Sequence, residues 1–341
     1  MTQTYMRQEI DEIPAAIERL LQHSGADLAH TARLIADSDP LFIATIARGS
    51  SDHAAHFLKY AFEITLGLPG ASLGPSLASV YGIVPRTQRA LVMAISQSGK
   101  SPDIVAMAEA AKRGGGQTIA LVNTSPSPLS DICSFSIDIC AGKETSVAAT
   151  KSFVCSIVAG LQLLSHISGD TVLRNALTAF PDQVRAALRL DWIGQLALPD
   201  KVSSAYILGR GPSFAIAQEA ALKFKETCAI HAEAFSSAEV MHGPVELVGR
   251  DFPVIVLAGR DEAETGTAEM ADALAMQGAM VFASSAKCRH ASVLPMPEAG
   301  HPLLSALLQI VPCYTYLEAL ARRLGRNPDQ PARLCKVTQT I

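Results

Sequence analysis

Short apolar runs alternate along this chain with longer stretches in which apolar residues recur at three- and four-residue spacing. Residues 42–49 (FIATIARG) and 204–211 (SAYILGRG) are two such runs, both closing on Arg-Gly. Each is followed by a helical pattern, over 54–66 and over 215–228. A shift of 162 positions carries the first run onto the second and keeps its register further on. Residues 91–95 land on 253–257, Gly116 lands on Gly278, and 118–122 lands on 280–284. One offset held for so long marks an internal duplication. Each copy reads strand, helix, strand, helix, strand, which calls for parallel strands covered by helices. The expected fold class is therefore α/β: two tandem, doubly wound parallel-sheet domains, flavodoxin-like or Rossmann-like, related by internal duplication.

The remaining pattern fills in the organisation. Helices are expected over 153–167, 171–188 and 192–198, with the domain boundary between 168 and 199. Residues 6–21 are amphipathic, with Ile10, Ile13, Ile17, Leu20 and Leu21 at helical spacing. The expected parts are an N-terminal helical segment (1–30), a first domain (31–170), a helical connection (171–198), a second domain (199–326) and a tail (327–341). By composition the tail reads as a terminus without fixed structure.

Composition narrows the class. The chain has 341 residues, of which 49% are hydrophobic and only 18% charged, so it can fill two cores and is not intrinsically disordered. A formal net charge of −4 gives no basic footprint, and nucleic acid is not expected as a partner. The seven cysteines are odd in number and lack C-x-x-C spacing, which argues against a disulfide framework or a zinc ribbon. The acidic N-terminus has no apolar signal-peptide core. The apolar stretch 153–164 is too short to span a bilayer, and 303–320 is broken by Gln309, Pro312 and Glu318. A cytoplasmic protein with no membrane partner is the expectation.

Candidate chemistry lies at strand ends. The run 90–95 opens into Ser96-Gln97-Ser98-Gly99-Lys100-Ser101-Pro102 and then a helix over 104–113. Hydroxyls, backbone N–H groups and a helix N-terminus together suit a phosphate, although an ordinary capped turn would look the same. Lys100 is not in Walker A spacing. The matching loop of the second copy, Ala258-Gly259-Arg260-Asp261, lacks the serines, so one copy is expected to bind and the other to have lost the site. Ser51 and Asp52 stand on a second strand-to-helix turn, as a substrate contact or as helix caps. Glu219, Lys223 and Glu226 are spaced to share one helical face, as a surface ion-pair ladder or as acid–base machinery. His242 precedes Gly243-Pro244 on a turn, where it could move protons near neutral pH. No His, Cys, Asp or Glu set has metal-ligand spacing, so no metal is expected.

Taken together, SQSG, AALKFKE, IHAEAFSSAEVMHGP and a terminal KVTQT make the chain resemble the sugar isomerase (SIS) family over nearly its whole length. Within that family it looks like the isomerase half of glucosamine-6-phosphate synthase. The synthase's N-terminal glutaminase domain has no counterpart in this sequence, which shifts the resemblance to the free-standing SIS-type deaminases of glucosamine 6-phosphate.

The resemblance implies a residue-by-residue assignment. Ser51, Ser96, Gln97, Ser98 and Ser101 would hold the phosphate, Ser101 standing where the synthases have Thr. The backbone at Val147 and Ala148 would face the sugar, while Ala149 replaces a Ser. Glu226 would move a proton between C1 and C2, assisted by Lys223. His242 would open the ring, reaching the site from the neighbouring subunit of a homodimer. Lys336 would close over the sugar, making the tail a lid. No cofactor is implied, because the sugar is its own electron sink. Other SIS phosphosugar enzymes (a fructosamine-6-phosphate deglycase, a galactosamine-6-phosphate deaminase or isomerase), a non-catalytic phosphosugar sensor and a synthase subunit needing a separate glutaminase stay open as alternatives.

Overall fold

The computed structural model describes residues 3–23, 25–199, 201–334 and 336. By its internal contacts the chain divides into two compact units. One consists of the described parts of Glu12–Glu144, Lys151–Pro181 and Lys336–Ile341. The other consists of those of Met1–Asp11, Thr145–Thr150 and Asp182–Cys335.

The first unit holds five parallel strands, β1 (Phe42–Ile46), β2 (Gly70–Ser72), β3 (Ala90–Ser96), β4 (Gln117–Val122) and β5 (Phe135–Asp138), in the order β2-β1-β3-β4-β5. The second repeats the arrangement with β6 (Ser204–Gly209), β7 (His231–Ser236), β8 (Pro253–Leu257), β9 (Met280–Ala283) and β10 (Ser292–Val293), all parallel. Its order, read from β7, is β7-β6-β8-β9-β10, the same flavodoxin-like winding. Every residue of β3 and of β8 is buried, so helices cover both faces of each sheet and the strands read as continuous apolar runs. Ala44, Val92, Ala94, Met107 and Val122 form part of the core of the first unit, and Leu208, Val254, Val256, Leu274 and Val281 part of that of the second. Burying one such Val, Leu or Met side chain is worth about 1.5–3 kcal/mol.

The duplication extends to backbone torsions. Gly49 and Gly211, after β1 and β6, have nearly the same left-handed conformation (φ 58°, ψ −136° and φ 57°, ψ −132°). Only glycine enters that region without a Cβ penalty, which explains the paired Arg-Gly. The offset does slip once. Leu91 stands opposite Gln117 while Pro253 stands opposite Met280, so β4 maps onto β9 with an offset of 163 rather than 162. The left-handed glycine before β9, Gly278, accordingly corresponds to Gly115 and not to Gly116. Single-residue insertions in turns leave strand pattern intact, so the sequence alignment passes over them.

Three helical expectations change. Residues 6–21 form two helices, Tyr5–Asp11 and Ile13–His23. The expected helix over 192–198 is only Trp192–Gln195, because Leu196 leaves the helical torsions (φ −89°, ψ 77°). Helix 215–228 runs as Pro212–Lys223 and then widens into a π-helical turn, Phe224–Cys228. The stretch Pro302–Arg323 is long and apolar enough to cross a membrane by length and composition, but 94% of its most apolar window is buried inside the protein.

Candidate functional site

In a sheet wound this way, ligands collect at the carboxyl ends of the strands where the winding reverses, here β1 and β3. Both serine-bearing turns grow from those ends. Ser51 is the second residue of helix Ser50–Leu66, whose cap is Gly49. Capping therefore does not occupy the Ser51 hydroxyl. Asp52, beside it, is raised from the ordinary carboxylate range because burial outweighs His53, His56 and Arg48.

The β3 turn is organised by its own hydroxyls. Ser96 Oγ accepts the Gly99 N–H at 3.2 Å and Ser98 Oγ accepts the Lys100 N–H at 3.3 Å. The Gln97 carbonyl accepts the Asn123 N–H at 3.1 Å. Ser101 caps helix Pro102–Arg113 by position without a side-chain capping bond. Arg48 Nε lies 2.5 Å from the fully buried carboxylate of Asp103, tying the β1 turn to the first turn of this helix. Sequence reading passed over that pair, since neither residue is notable alone.

The second copy's loop is closed off. The N–H groups of Ala258, Gly259 and Arg260 donate to the hydroxyls of Ser284, Ser213 and Ser305, at 2.9, 3.1 and 3.0 Å. Donors that could serve an anion there are already satisfied from within the fold.

The second unit instead carries ionisable groups. Lys223 Nζ is 3.2 Å from Glu219 Oε1 and 2.5 Å from Glu226 Oε2. Glu219 and Lys223 are completely buried, and Tyr314 Oη donates to Glu219 at 3.0 Å. The surface-ladder reading of this triplet is thereby overturned. Burial by itself would lower the Lys223 pKa, but the two carboxylates and their hydrogen bonds carry it above the ordinary lysine value. Glu226 differs from Glu219 in keeping 20% of its side chain exposed. It sits on the π-helical turn, a form of helix that recurs at functional sites.

That turn lines a cavity of about 940 Å³, with Lys225, Glu226 and Thr227 on one side and Arg326, Asn327 and Gln330 through Leu334 on the other. The first part of the tail is thus ordered and walls the cavity that contains Glu226. His242 ends a 3-10 turn, Glu239–His242, is exposed, and does not line this cavity.

Two further expected residues have definite partners. The Val147 N–H donates to the Asp329 carbonyl at 3.1 Å, while Ala148 is buried. Lys336 Nζ lies 3.1 Å from Glu144 Oε2 in the first unit. Glu144 is itself buried and accepts both the Ser152 N–H (3.1 Å) and Ser152 Oγ–H (2.6 Å). Cys335 and residues 337–341, the expected end of the lid, lie outside the described residues.

The six described cysteines are free. Burial pushes the thiols of Cys133, Cys228 and Cys288 up to about 11, those of Cys155 and Cys313 higher still, and that of Cys140 upward, so none is primed as a nucleophile. Among the described residues no three of His, Cys, Asp and Glu are grouped so as to hold a metal ion.

Comparison with known proteins adds three findings. The family model of the SIS domain matches residues 34–166 and 200–286. The isomerizing glutamine–fructose-6-phosphate aminotransferase of Gloeobacter violaceus is 32% identical across 97% of this chain, which covers 58% of that protein. The chain spans 56–58% of the length of the first three curated relatives it matches. Among solved structures, a presumptive phosphosugar isomerase from Silicibacter pomeroyi DSS-3 is 51% identical with a TM-score of 0.93, covering 96% of this chain and 100% of its own. The C-terminal domain of glucosamine-fructose-6-phosphate aminotransferase from Francisella tularensis is 26% identical with a TM-score of 0.88, covering 97% of this chain and 99% of its own.

Proposed function

The chain belongs to the SIS domain family, and from that membership we propose that it is an isomerising deaminase, converting glucosamine 6-phosphate and water to fructose 6-phosphate and ammonia. The observation that carries the reading is the Lys223–Glu226 pair. A fully buried ammonium stands 2.5 Å from a carboxylate that opens into a cavity of about 940 Å³. The relatives' name couples isomerisation with amino transfer at fructose 6-phosphate, and the same carbon-skeleton step underlies deamination.

In this proposal Ser51, Ser96, Gln97, Ser98 and Ser101 hold the phosphate and supply binding energy remote from the reacting carbons. His242, exposed on its turn, serves the site of a second copy of the chain and opens the ring by moving a proton between O1 and O5. Glu226 removes the proton from C2 and delivers it to C1, and Lys223 stabilises the negative charge that gathers on O1 meanwhile. With O1 gaining the proton that the amine nitrogen gives up, the product of that transfer is a C2 imine bearing a C1 hydroxyl. Water adds to C2, the C2–N bond breaks, and ammonia leaves with the ketose formed. Lys336 closes the site once it exchanges Glu144 for the sugar.

The test is an assay of purified protein with glucosamine 6-phosphate, following ammonia and fructose 6-phosphate together. Equimolar release, abolished by Glu226→Gln with phosphosugar binding retained, is the expected result. Binding without release would favour a phosphosugar sensor. Release only from a fructosamine or galactosamine phosphate would keep the mechanism and change the substrate.

A further inference from the structure

We infer that the N-terminal helix Tyr5–Asp11 is a positioning element for the sugar, its Glu9 carboxylate holding the 145–148 segment in the shape that faces the substrate. This inference rests on the function proposed above for that segment.

The segment's backbone is satisfied in an unusual way. Thr145, Ser146 and Val147 offer three successive N–H groups, and none of them bonds within a helix or strand. The first donates to Glu9 Oε1, and the second reaches both Glu9 oxygens at 3.3 Å. The third donates to the Asp329 carbonyl at 3.1 Å. Glu9 is only 4% exposed, and Ser146 is fully buried. A carboxylate this far from water is tolerable only where N–H donors replace its hydration, and bonds to an ionised acceptor are the stronger kind.

Asp329 closes the clasp from the other side. Its carboxylate accepts the N–H of Met6 at 2.7 Å and of Tyr5 at 2.9 Å, the first residues of the helix that carries Glu9. The helix packs against Ile310–Arg323, its Met6 and Ile10 are buried, and Thr4 Oγ donates to Glu318 at 2.8 Å. Asp329 also belongs to the tail segment whose neighbours, Asn327 and Gln330, wall the cavity beside Glu226. Three stretches far apart in sequence are therefore held in one geometry by two carboxylates. The sugar-facing segment and the wall of the Glu226 cavity cannot move independently while the clasp is closed.

The phosphate contacts do not pass through this clasp, and that separates a positioning role from general stability. Glu9→Gln keeps the shape and one acceptor oxygen but removes the charge. The expected result is a rise of about tenfold in KM for glucosamine 6-phosphate, the size of effect expected for one hydrogen bond to a charged group. Competitive inhibition by inorganic phosphate should stay within about twofold, which a general loss of the fold would not allow. Asp329→Asn should move the same constant in the same direction. KM unchanged in both variants overturns the inference, as does an equal loss of affinity for inorganic phosphate.

Amide hydrogen exchange at Thr145, Ser146 and Val147 tests the clasp without any turnover. These amides should exchange faster in both variants, and unchanged protection overturns the inference. If the wild type binds inorganic phosphate but turns over no amino-sugar phosphate, the functional reading fails, and the exchange measurement still decides the clasp.

Discussion

Lys223 shows how much one side chain can hold. Its ammonium is fully buried between Glu219 and Glu226, so removing it leaves two carboxylates facing each other, one of them without access to water. Lys223→Met is expected to cost about 3–5 kcal/mol, the usual penalty for breaking a buried pair by deleting one partner. Urea unfolding of the two proteins at neutral pH measures it. The folded-state pKa of Lys223 lies above the ordinary value, so protonation is favoured by folding. Its stabilising contribution is complete below about pH 10.5 and falls away as pH rises through the folded value. Wild type should accordingly lose stability more steeply than Lys223→Met as pH rises above about 10.5. Parallel curves would mean that Lys223 is not the group responsible.

One scale up, the element that matters is the end of the helix bearing Glu226. The α-helix passes into a π-helical turn and stops on Ala229, which adopts a left-handed conformation (φ 51°, ψ 37°) with its N–H bonded to the Phe224 carbonyl. A Cβ in that region costs about 1–2 kcal/mol, and glycine gives back part of the saving through the unfolded chain. Ala229→Gly should therefore stabilise the protein by about 0.5–1 kcal/mol, seen as a higher thermal midpoint. A fall of comparable size would mean that the Ala229 methyl, which lines the Glu226 cavity, is needed for packing. The same turn explains why helical periodicity was only partly informative. The spacing of Glu219, Lys223 and Glu226 was legible, since i, i+4 and i+7 positions meet in any helix. The extra residue that widens the last turn has no periodic signature.

For the molecule as a whole, duplication supplied two equivalent strand-end turns, which the fold has treated differently. After β3 the turn presents serines. After β8 the equivalent N–H groups are bonded to Ser284, Ser213 and Ser305. Ser98→Ala is expected to weaken phosphosugar binding several-fold with little change in stability. Ser213→Ala should leave binding unchanged and cost about 1–3 kcal/mol, because the buried Gly259 N–H and Gln309 amide both lose an acceptor. Calorimetric titration and thermal unfolding of the two variants make the comparison, and a binding defect in Ser213→Ala would contradict it.

The sequence by itself determined the strand and helix alternation, the duplicated parallel sheets and the turns that bear Ser51 and Ser96–Ser101. Those features are local, set by side-chain period and by residues such as Gly49 and Gly211 that alone suit their torsions. It also placed Glu9 between Met6, Ile10 and Ile13, a charge on an apolar stripe, which was a signal left unread. Only the tertiary structure decided that Lys223 is buried and not part of a surface ladder, that Lys336 rests on Glu144, and that Glu9 and Asp329 clasp residues 145–147. Each of these depends on which distant element removes water from a group and supplies its partner. Spacing along the chain is the same whether that partner comes from solvent or from a segment more than a hundred residues away.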